Sequence, residues 1–325
     1  MANYNTFQPI TCYAGAMTYN TTSILLEYYR ENPHIGIISS RRQIDTNSGY
    51  VNHWNTKTFH SYVRSRSKIV LERDHGGPSQ GDMYDDGLDS FVNDVSFFDI
   101  IHIDPWKQEP DLERGIEYTV NYINKLYDLN NNILFEVGTE QAIRPFSVEE
   151  LEYLLAKLKE KLSPPIFESI IYCVIQSGTQ IIGDVNTGAF CPEKTRKMIE
   201  LCNRYRVLSK DHNGDYIDPL LIKERYSLGL HAINIAPEIA HIESSVILDI
   251  IDNNKRQEIF DKCISSHRWE KWFDKDFDPQ VNINKLIQCC GHYVSSDIEL
   301  GDLQSKVIDE TRHRLFQFLN NFKKS

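Results

Sequence analysis

The sequence predicts an α/β chain folded as a (β/α)8 TIM barrel with a helical extension at its carboxyl end. Eight short apolar runs alternate with stretches of helical period, which implies parallel strands joined by crossover helices. Five of those runs end in polar, chemically capable residues, and polar groups gathered at the carboxyl ends of many strands indicate one barrel with one mouth. A length of 325 residues suits such a barrel with an appendage. An open doubly wound sheet is the competing architecture; eight units in succession can close.

The expected strands are Ile10–Ala14, Ile35–Ser39, Ile69–Asp74, Ile100–Asp104, Ile133–Thr139, Ile170–Ser177, Arg206–Asp211 and Leu230–Ala236. Between them Ser23–Glu31, Thr58–Arg66, Glu113–Leu129, Val148–Leu162, Pro192–Arg204 and Pro219–Tyr226 read as helices. Ser147 before Glu149 and Glu150 is a helix start, a cap followed by acids in the first turn. Pro192 suits a first turn because its missing N–H would be unpaired there anyway. Gln80–Asp94 is rich in Gly and Asp and reads as a loop with one short helix. Ile239–Ile251 is the last barrel helix, so the barrel is expected over 1–252. Residues 253–325 form the extension, helical over Gln257–Phe273 and Ser295–Phe322 and anchored by Trp269, Trp272, Phe316 and Leu319.

Composition narrows the function. A net charge of −11 argues against nucleic acid or an anionic membrane as the main partner. It leaves room for an anionic metabolite, which needs only a few local donors. No apolar stretch approaches the roughly 20 residues that span a bilayer, and Met1–Pro9 lacks a signal pattern, so a cytoplasmic protein is expected. The seven cysteines are irregularly spaced with no CxxC pair, which reads as reduced thiols. No Walker loop, dinucleotide fingerprint or Gly-x-Ser-x-Gly elbow is present.

Alternation along each strand picks out the inward residues. Successive strand side chains point to opposite faces, and the outward face of a parallel barrel packs on helices. The polar parity therefore faces the interior: Glu72 with Asp74, His102 with Asp104, Glu136 with Glu140, and Lys210 with His212. Asp74-His75, before Gly76-Gly77-Pro78, is the sharpest site, because an imidazole can hold a metal while the adjoining carboxylate moves a proton. The same string is also good turn chemistry. His212 is the second candidate ligand and Glu136 the third, two imidazoles and a carboxylate with open positions for substrate oxygen. Glu136 paired with Lys210 inside the barrel is the competing structural role.

Glu140 and Asp104 are candidate acid/base groups beside Asp74. Gln43, Gln176, Lys210, Asn234 and Arg144 are assigned to substrate. A phosphate grip falls on Ser39, Arg41, Arg42, Arg144 or the Asn186-Thr-Gly188 turn.

The strings Asp74-His-Gly-Gly-Pro78, Phe135-Glu-Val-Gly-Thr-Glu140 and Lys210-Asp-His-Asn-Gly-Asp-Tyr216 together resemble the GatZ/KbaZ-like subunits of tagatose-bisphosphate aldolase, a family that includes ketose 4-epimerases. Arg41–Tyr50, Thr56–Phe59 and Val174–Gly178 fit the same pattern, and the likeness runs over roughly Ile35–Glu243. A more distant resemblance is to class II, zinc-dependent fructose-bisphosphate aldolases. It implies that Asp74 exchanges a proton and that His75 and His212 hold a divalent ion, most simply zinc. Asn234-Ile235 falls at the family's position near the eighth strand. The chain departs from both patterns: Gln176 stands where a sixth-strand histidine ligand is expected, and Gln141-Ala-Ile-Arg-Pro145 replaces a Val-Pro-x-Pro-Gly-Gly continuation.

The resemblance implies a metal-dependent aldolase or carbon-4 epimerase that acts on a ketose or ketose phosphate through an enediolate. The other reading is a non-catalytic subunit that stabilises a separate class II aldolase, with Trp269, Trp272, Phe316 and Leu319 marking a docking face. The sequence leaves a homo-oligomer and an aldolase partner subunit both open.

Overall fold

The computed structural model describes residue 7 and residues 9–324. The reading of Met1–Pro9 falls mostly outside the described residues. Eight parallel strands close into a barrel, so the open sheet is excluded. They are β1 (Cys12–Gly15), β2 (Ile35–Ser40), β3 (Leu71–Gly76), β4 (Ile100–Ile103), β5 (Leu134–Val137), β6 (Ile170–Ile175), β9 (Leu208–Asp211) and β10 (Ala232–Ile235). A small antiparallel hairpin, β7 (Ile181–Ile182) and β8 (Val185–Asn186), stands in the loop after β6. Neighbours around the barrel follow chain order, and β10 closes on β1 through Cys12–Ile233 and Ala14–Ile235.

Between the strands run α1 (Tyr19–Tyr29), α2 (Thr56–Arg64), α3 (Leu88–Asp94), α4 (Leu112–Leu129), α5 (Val148–Lys161), α6 (Pro164–Phe167), α7 (Pro192–Tyr205), α8 (Pro219–Ser227) and α9 (Pro237–Ile250). Ser147 caps α5 reciprocally with Glu150, each side chain taking the other's backbone N–H; this capping box is what the Ser-x-x-Glu spacing encodes. Pro192 opens α7 as expected. Arg206, expected in a strand, is instead the left-handed cap of α7 with φ 59°. The one-turn α6 and the β7–β8 hairpin had no sequence signal long enough to read.

The barrel interior is layered. Its floor is apolar, from Ile10, Tyr13, Ile38, Ile100, Leu134, Tyr172, Leu208 and Ala232. Tyr13 and Tyr172 meet edge to face across it, with their hydroxyls 3.2 Å apart. The next layer is charged: Lys210 Nζ donates to Glu72 Oε2 and to Glu136 Oε2, each at 2.5 Å, and all three side chains are fully buried. The ammonium also lies over the Tyr13 and Tyr172 rings. The outward face carries buried ion pairs, Arg73 with Asp94 of α3 at 2.7 Å and Arg225 with Asp211 at 3.7 Å.

The carboxyl-terminal part departs from the two long helices expected. It forms α10 (Asn253–Ser265), α11 (Ile283–Cys290) and α12 (Gln304–Leu319), with short 3-10 turns at Gly291–Tyr293, Ser295–Asp297 and Gly301–Leu303. Thus the helix expected over Gln257–Phe273 stops at Ser265, and Ser295–Phe322 begins with turns. Trp269 and Trp272 pack into a second core with Ile251, Phe260 and Leu286, and Trp272 Nε1 donates to the Tyr293 hydroxyl at 3.1 Å. Leu315, Leu319 and Phe322 belong to the main barrel core, with Phe316 packed against it. Thr11 Oγ1 donates to Phe322 O at 2.6 Å. The four proposed docking residues therefore serve intramolecular packing. All seven cysteines are free, and among the described residues no helix is long and apolar enough to cross a membrane.

Candidate metal and catalytic site

β3 delivers the first groups. Alternation alone would send His75 outward, beside Arg73. Instead the β3–β4 register shifts between Arg73 and Gly76, and His75 takes φ 44°. This is a bulge, which re-aims a side chain, in a backbone region that non-glycine residues rarely adopt. Both Asp74 and His75 thus reach the mouth. Gly77, at φ 131°, lies under Asp104 O, where a Cβ would approach to 3.1 Å.

Three imidazoles converge there. His75, His102 and His212 each offer one ring nitrogen, and the three nitrogens lie within 4.8 Å of one another. His75 and His212 have ring centroids 5.1 Å apart, so the two histidines singled out in the sequence do meet. His102, on β4, is 5.2 Å from the first and 5.1 Å from the second.

Each ring has its other nitrogen tied down. His75 Nδ1 pairs with Asp104 Oδ2 at 2.6 Å. His212 Nε2 pairs with Glu136 Oε1 at 2.6 Å. His102 Nε2 donates to Gly138 O at 2.9 Å, and the His75 amide N–H approaches its Nδ1 at 3.3 Å. In its neutral form, a ring whose outer N–H is held by a carboxylate or carbonyl presents an unprotonated nitrogen inward, the usual arrangement behind a metal ligand. The donor set therefore fits a divalent cation.

Four carboxyl groups surround the rings. Asp74 Oδ1 accepts from Asn234 Nδ2 at 3.2 Å and lies 3.8 Å from His212 Nδ1, while its Oδ2 lies 3.9 Å from His75 Nε2. Glu140 Oε2 accepts from Asn213 Nδ2 at 2.5 Å and lies 3.7 Å from His75 Nε2. Burial resists charge on Glu140, but the neighbouring His75 outweighs it and holds the carboxyl down to about 2. Burial likewise opposes the His75 cation, and the charge of Asp74 with the contacts to Asp104 and Glu140 reverses this, raising its pKa. Burial also opposes charge on Glu136, yet Lys210 and then His212 pull its pKa well down. Burial dominates at His102 and lowers its pKa, favouring a neutral ring.

The structure sorts the remaining expectations. Glu136 sits behind His212 and beside Lys210, while His102 joins His75 and His212 in the histidine cluster. Asp104 is fully buried and holds His75, with Gln80 Nε2 also donating to its Oδ2 at 3.2 Å. Lys210 lies a layer below the mouth. Asn234 is at the site, and its Oδ1 is buried without a partner among the described residues.

Gln43, Gln176 and Arg144 have other partners. Gln43 accepts from Ser40 N–H and donates to Ala16 O. Gln176 accepts from Phe146 N–H and donates to Thr139 O and Arg144 O, so it clamps the loop after β5. Arg144 donates to Pro110 O and Glu150 and stacks near Phe146. Of the phosphate candidates, Arg41 is committed to Asp45, Asp85 and Gly77 O, and Asn186 ties the hairpin to Asn213 O and Asp215 O. Arg42 remains half exposed, 4.0 Å from Asp82.

No protein-family model matches the chain, and no curated protein matches it in sequence. Solved structures do match in fold. A probable tagatose 6-phosphate kinase from Sinorhizobium meliloti 1021 is 14% identical, with 93% of this chain and 86% of that one covered and a TM-score of 0.70. The YdjI aldolase from Escherichia coli K12 is 12% identical over 99% and 94% of the two chains, with a TM-score of 0.60. The fructuronate-tagaturonate epimerase UxaE from Cohnella laeviribosi is 8% identical over 96% and 81%, with a TM-score of 0.64. At these identities the likeness establishes the (β/α)8 barrel. Fold alone does not fix chemistry, so function rests on the site itself.

Proposed function

We propose that the chain is a metal-dependent enzyme acting on a ketose or ketose phosphate, by aldol cleavage or by carbon-4 epimerisation through cleavage and re-addition. The observation that carries this reading is the convergence of His75, His102 and His212 within 4.8 Å, with the Asp74 carboxylate alongside. Neighbours in fold that are named as an aldolase and as a sugar-acid epimerase add support, as do the Asp74-His75 and Glu136-Val-Gly138 strings.

His75, His102 and His212 would hold the divalent ion, zinc by the preference of histidine sets. Such an ion supplies positive charge for the oxygen of a polarised carbonyl. Asp74 is the group to take and return the proton of a substrate hydroxyl, since it stands beside two of the rings and is steered by Asn234. Glu140, held ionised and fixed by Asn213, is placed to orient a second hydroxyl or relay that proton. Asn234 Oδ1, unpaired at the same spot, accepts a hydrogen bond from substrate. Glu136 and Asp104 set the tautomers of His212 and His75.

The test is metal analysis of the purified protein combined with incubation of ketose phosphates, uronate ketoses and free ketoses. A near-stoichiometric divalent ion with triose release or a carbon-4 epimer supports the reading. Metal-free protein that turns over none of these sugars after zinc, cobalt or manganese addition refutes it.

A further inference from the structure

Cations from three separate stretches of the chain gather beside the barrel mouth. Arg42 follows β2 and Lys107 follows β4, while Arg268 and Lys271 lie in the extension between α10 and α11. All four border residues 79–82, which follow β3. Lys107 Nζ donates to Ser79 O at 3.2 Å. Gln80 Nε2 donates to Asp104 Oδ2 at 3.2 Å, and Asp104 in turn holds His75. Asp82 accepts from both terminal nitrogens of Arg268 and lies 4.0 Å from Arg42 Nε. Two residues of chain span at most about 7 Å, so Asp82 and its two guanidinium groups stand close to the histidine cluster. Arg41 fixes this loop at both ends, donating to Gly77 O at 2.8 Å and to Asp85 at 2.7 Å.

The charges here do not balance. Among the described residues Asp82 is the one carboxylate within 4.0 Å of any of the four cations. Arg42 makes no hydrogen bond among those residues, and Lys271 makes neither a hydrogen bond nor an ion pair. Lys271 Nζ instead lies over the Trp272 and Tyr293 rings at 4.9 and 5.1 Å, and Arg268 lies over the same Tyr293 ring at 5.5 Å. Desolvation of the ammonium, and then the charges of Arg42 and Arg268, push the Lys271 pKa down to about 8. Desolvation and then Arg42 lower that of Lys107 too. Like charges held together disfavour one another unless an anion offsets them, and this excess stands in a chain of net charge −11. The side chains of Arg42 and Arg268 keep 36% and 30% of their surface exposed, so a dissolved anion can reach them.

We propose that the extension completes an anion subsite, in which Arg42, Lys107, Arg268 and Lys271 grip a phosphate ester at the end of the substrate remote from its carbonyl. The proposal rests on the ketose reading of the mouth and narrows it to phosphorylated ketoses. A phosphate monoester carries close to two negative charges near neutral pH and three acceptor oxygens, which suits two guanidinium forks and two ammonium groups. A carboxylate would offset only one of them.

The full-length protein is titrated calorimetrically with inorganic phosphate, fructose 6-phosphate, fructuronate and fructose, as purified and again after metal removal by EDTA and dialysis. Inorganic phosphate and fructose 6-phosphate are expected to bind with a Kd of about 0.1–1 mM in both forms, and fructose at least about tenfold more weakly once metal is removed. Arg42→Gln and Lys271→Gln have no hydrogen bond to lose within the protein, so the fold is retained by circular dichroism. Each should weaken phosphate binding by about tenfold, the usual effect of one charge-assisted contact. Phosphate binding that disappears with the metal, or that is unchanged in the Arg42→Gln, Lys271→Gln double variant, overturns the subsite. Tighter binding of fructuronate than of fructose 6-phosphate also overturns it, in favour of a carboxylate. Phosphate binding that depends on these cations while no sugar is turned over upholds the subsite and refutes only the chemistry proposed at the mouth.

Discussion

His212 Nε2 meets Glu136 Oε1 at 2.6 Å, so the carboxylate expected to be a ligand stands behind a clustered imidazole. Glu136 is itself kept ionised by Lys210, which it meets at 2.5 Å. The pair turns a buried ion cluster into a support for the mouth above it. In the reading proposed here, the two roles separate on mutation. His75→Ala, His102→Ala and His212→Ala should each abolish stoichiometric metal. Glu136→Gln should retain the ion with affinity reduced by about 10–100-fold, the usual effect of removing a group behind a ligand. Metal titration with a competing chelator checks this; full metal loss in Glu136→Gln with none in His102→Ala would restore the carboxylate as the ligand.

Asp74 lies within 4 Å of two of the clustered rings and is held by Asn234. Replacing it by Asn keeps the shape and removes the base. Turnover should fall by about 10²–10⁴-fold, the range for a positioned acid/base group, with metal content unchanged. Steady-state kinetics on whichever ketose proves to be the substrate checks it, and unaltered kcat in Asp74→Asn would remove Asp74 from the chemistry.

The sequence showed the barrel because period and alternation are properties of each segment alone. It also singled out Asp74, His75 and His212, which the structure brings together, because they lie at or beyond strand ends next to turn residues. His102 was not singled out as part of the cluster, although its inward parity was plain. It sits one register level below the strand end, opposite Glu136, and becomes reachable because the β3 bulge turns His75 toward it. A bulge is a pairing event between two strands and leaves no mark in either one. Gln176 and Arg144 have partners that no periodicity reveals: the Gln176 amide is used by the backbone of the loop after β5, and the Arg144 guanidinium by Pro110 O and Glu150. The extension resisted reading because α10 stops at Ser265 and 3-10 turns at Ser295–Asp297 and Gly301–Leu303 precede α12.

Lys210 governs stability as well. It is fully buried between Glu72 and Glu136. Lys210→Met would leave two carboxyl groups facing each other without a cation. Removing one partner of a buried ion cluster costs about 3–5 kcal/mol, and a loss of that order is expected in urea unfolding. The double variant Lys210→Met with Glu72→Gln should recover part of it, because burial and then the charge of Glu136 already push the Glu72 pKa well up. Loss in the double variant equal to or greater than in the single one would contradict this account of the layer.

Glu238, at the start of α9, carries a pH signature away from the proposed metal. Burial pushes its pKa up to about 7, even though Tyr216 N–H donates to its Oε2 at 2.5 Å. A carboxyl whose folded pKa is raised binds more protons folded than unfolded. Its stabilising contribution is therefore complete below pH about 4.5 and is lost as pH rises toward about 7. Asp215, which accepts from the Glu238 backbone N–H at 2.8 Å, is shifted upward too, by burial and then by Glu238, so it titrates in the same sense. Glu238→Gln should thus remove only part of the slope in that window and stabilise the fold above pH 7 by roughly 1–3 kcal/mol. Urea unfolding of both proteins at a series of pH values checks it; parallel curves from pH about 4.5 to 8 would show that Glu238 titrates as it does in the unfolded chain.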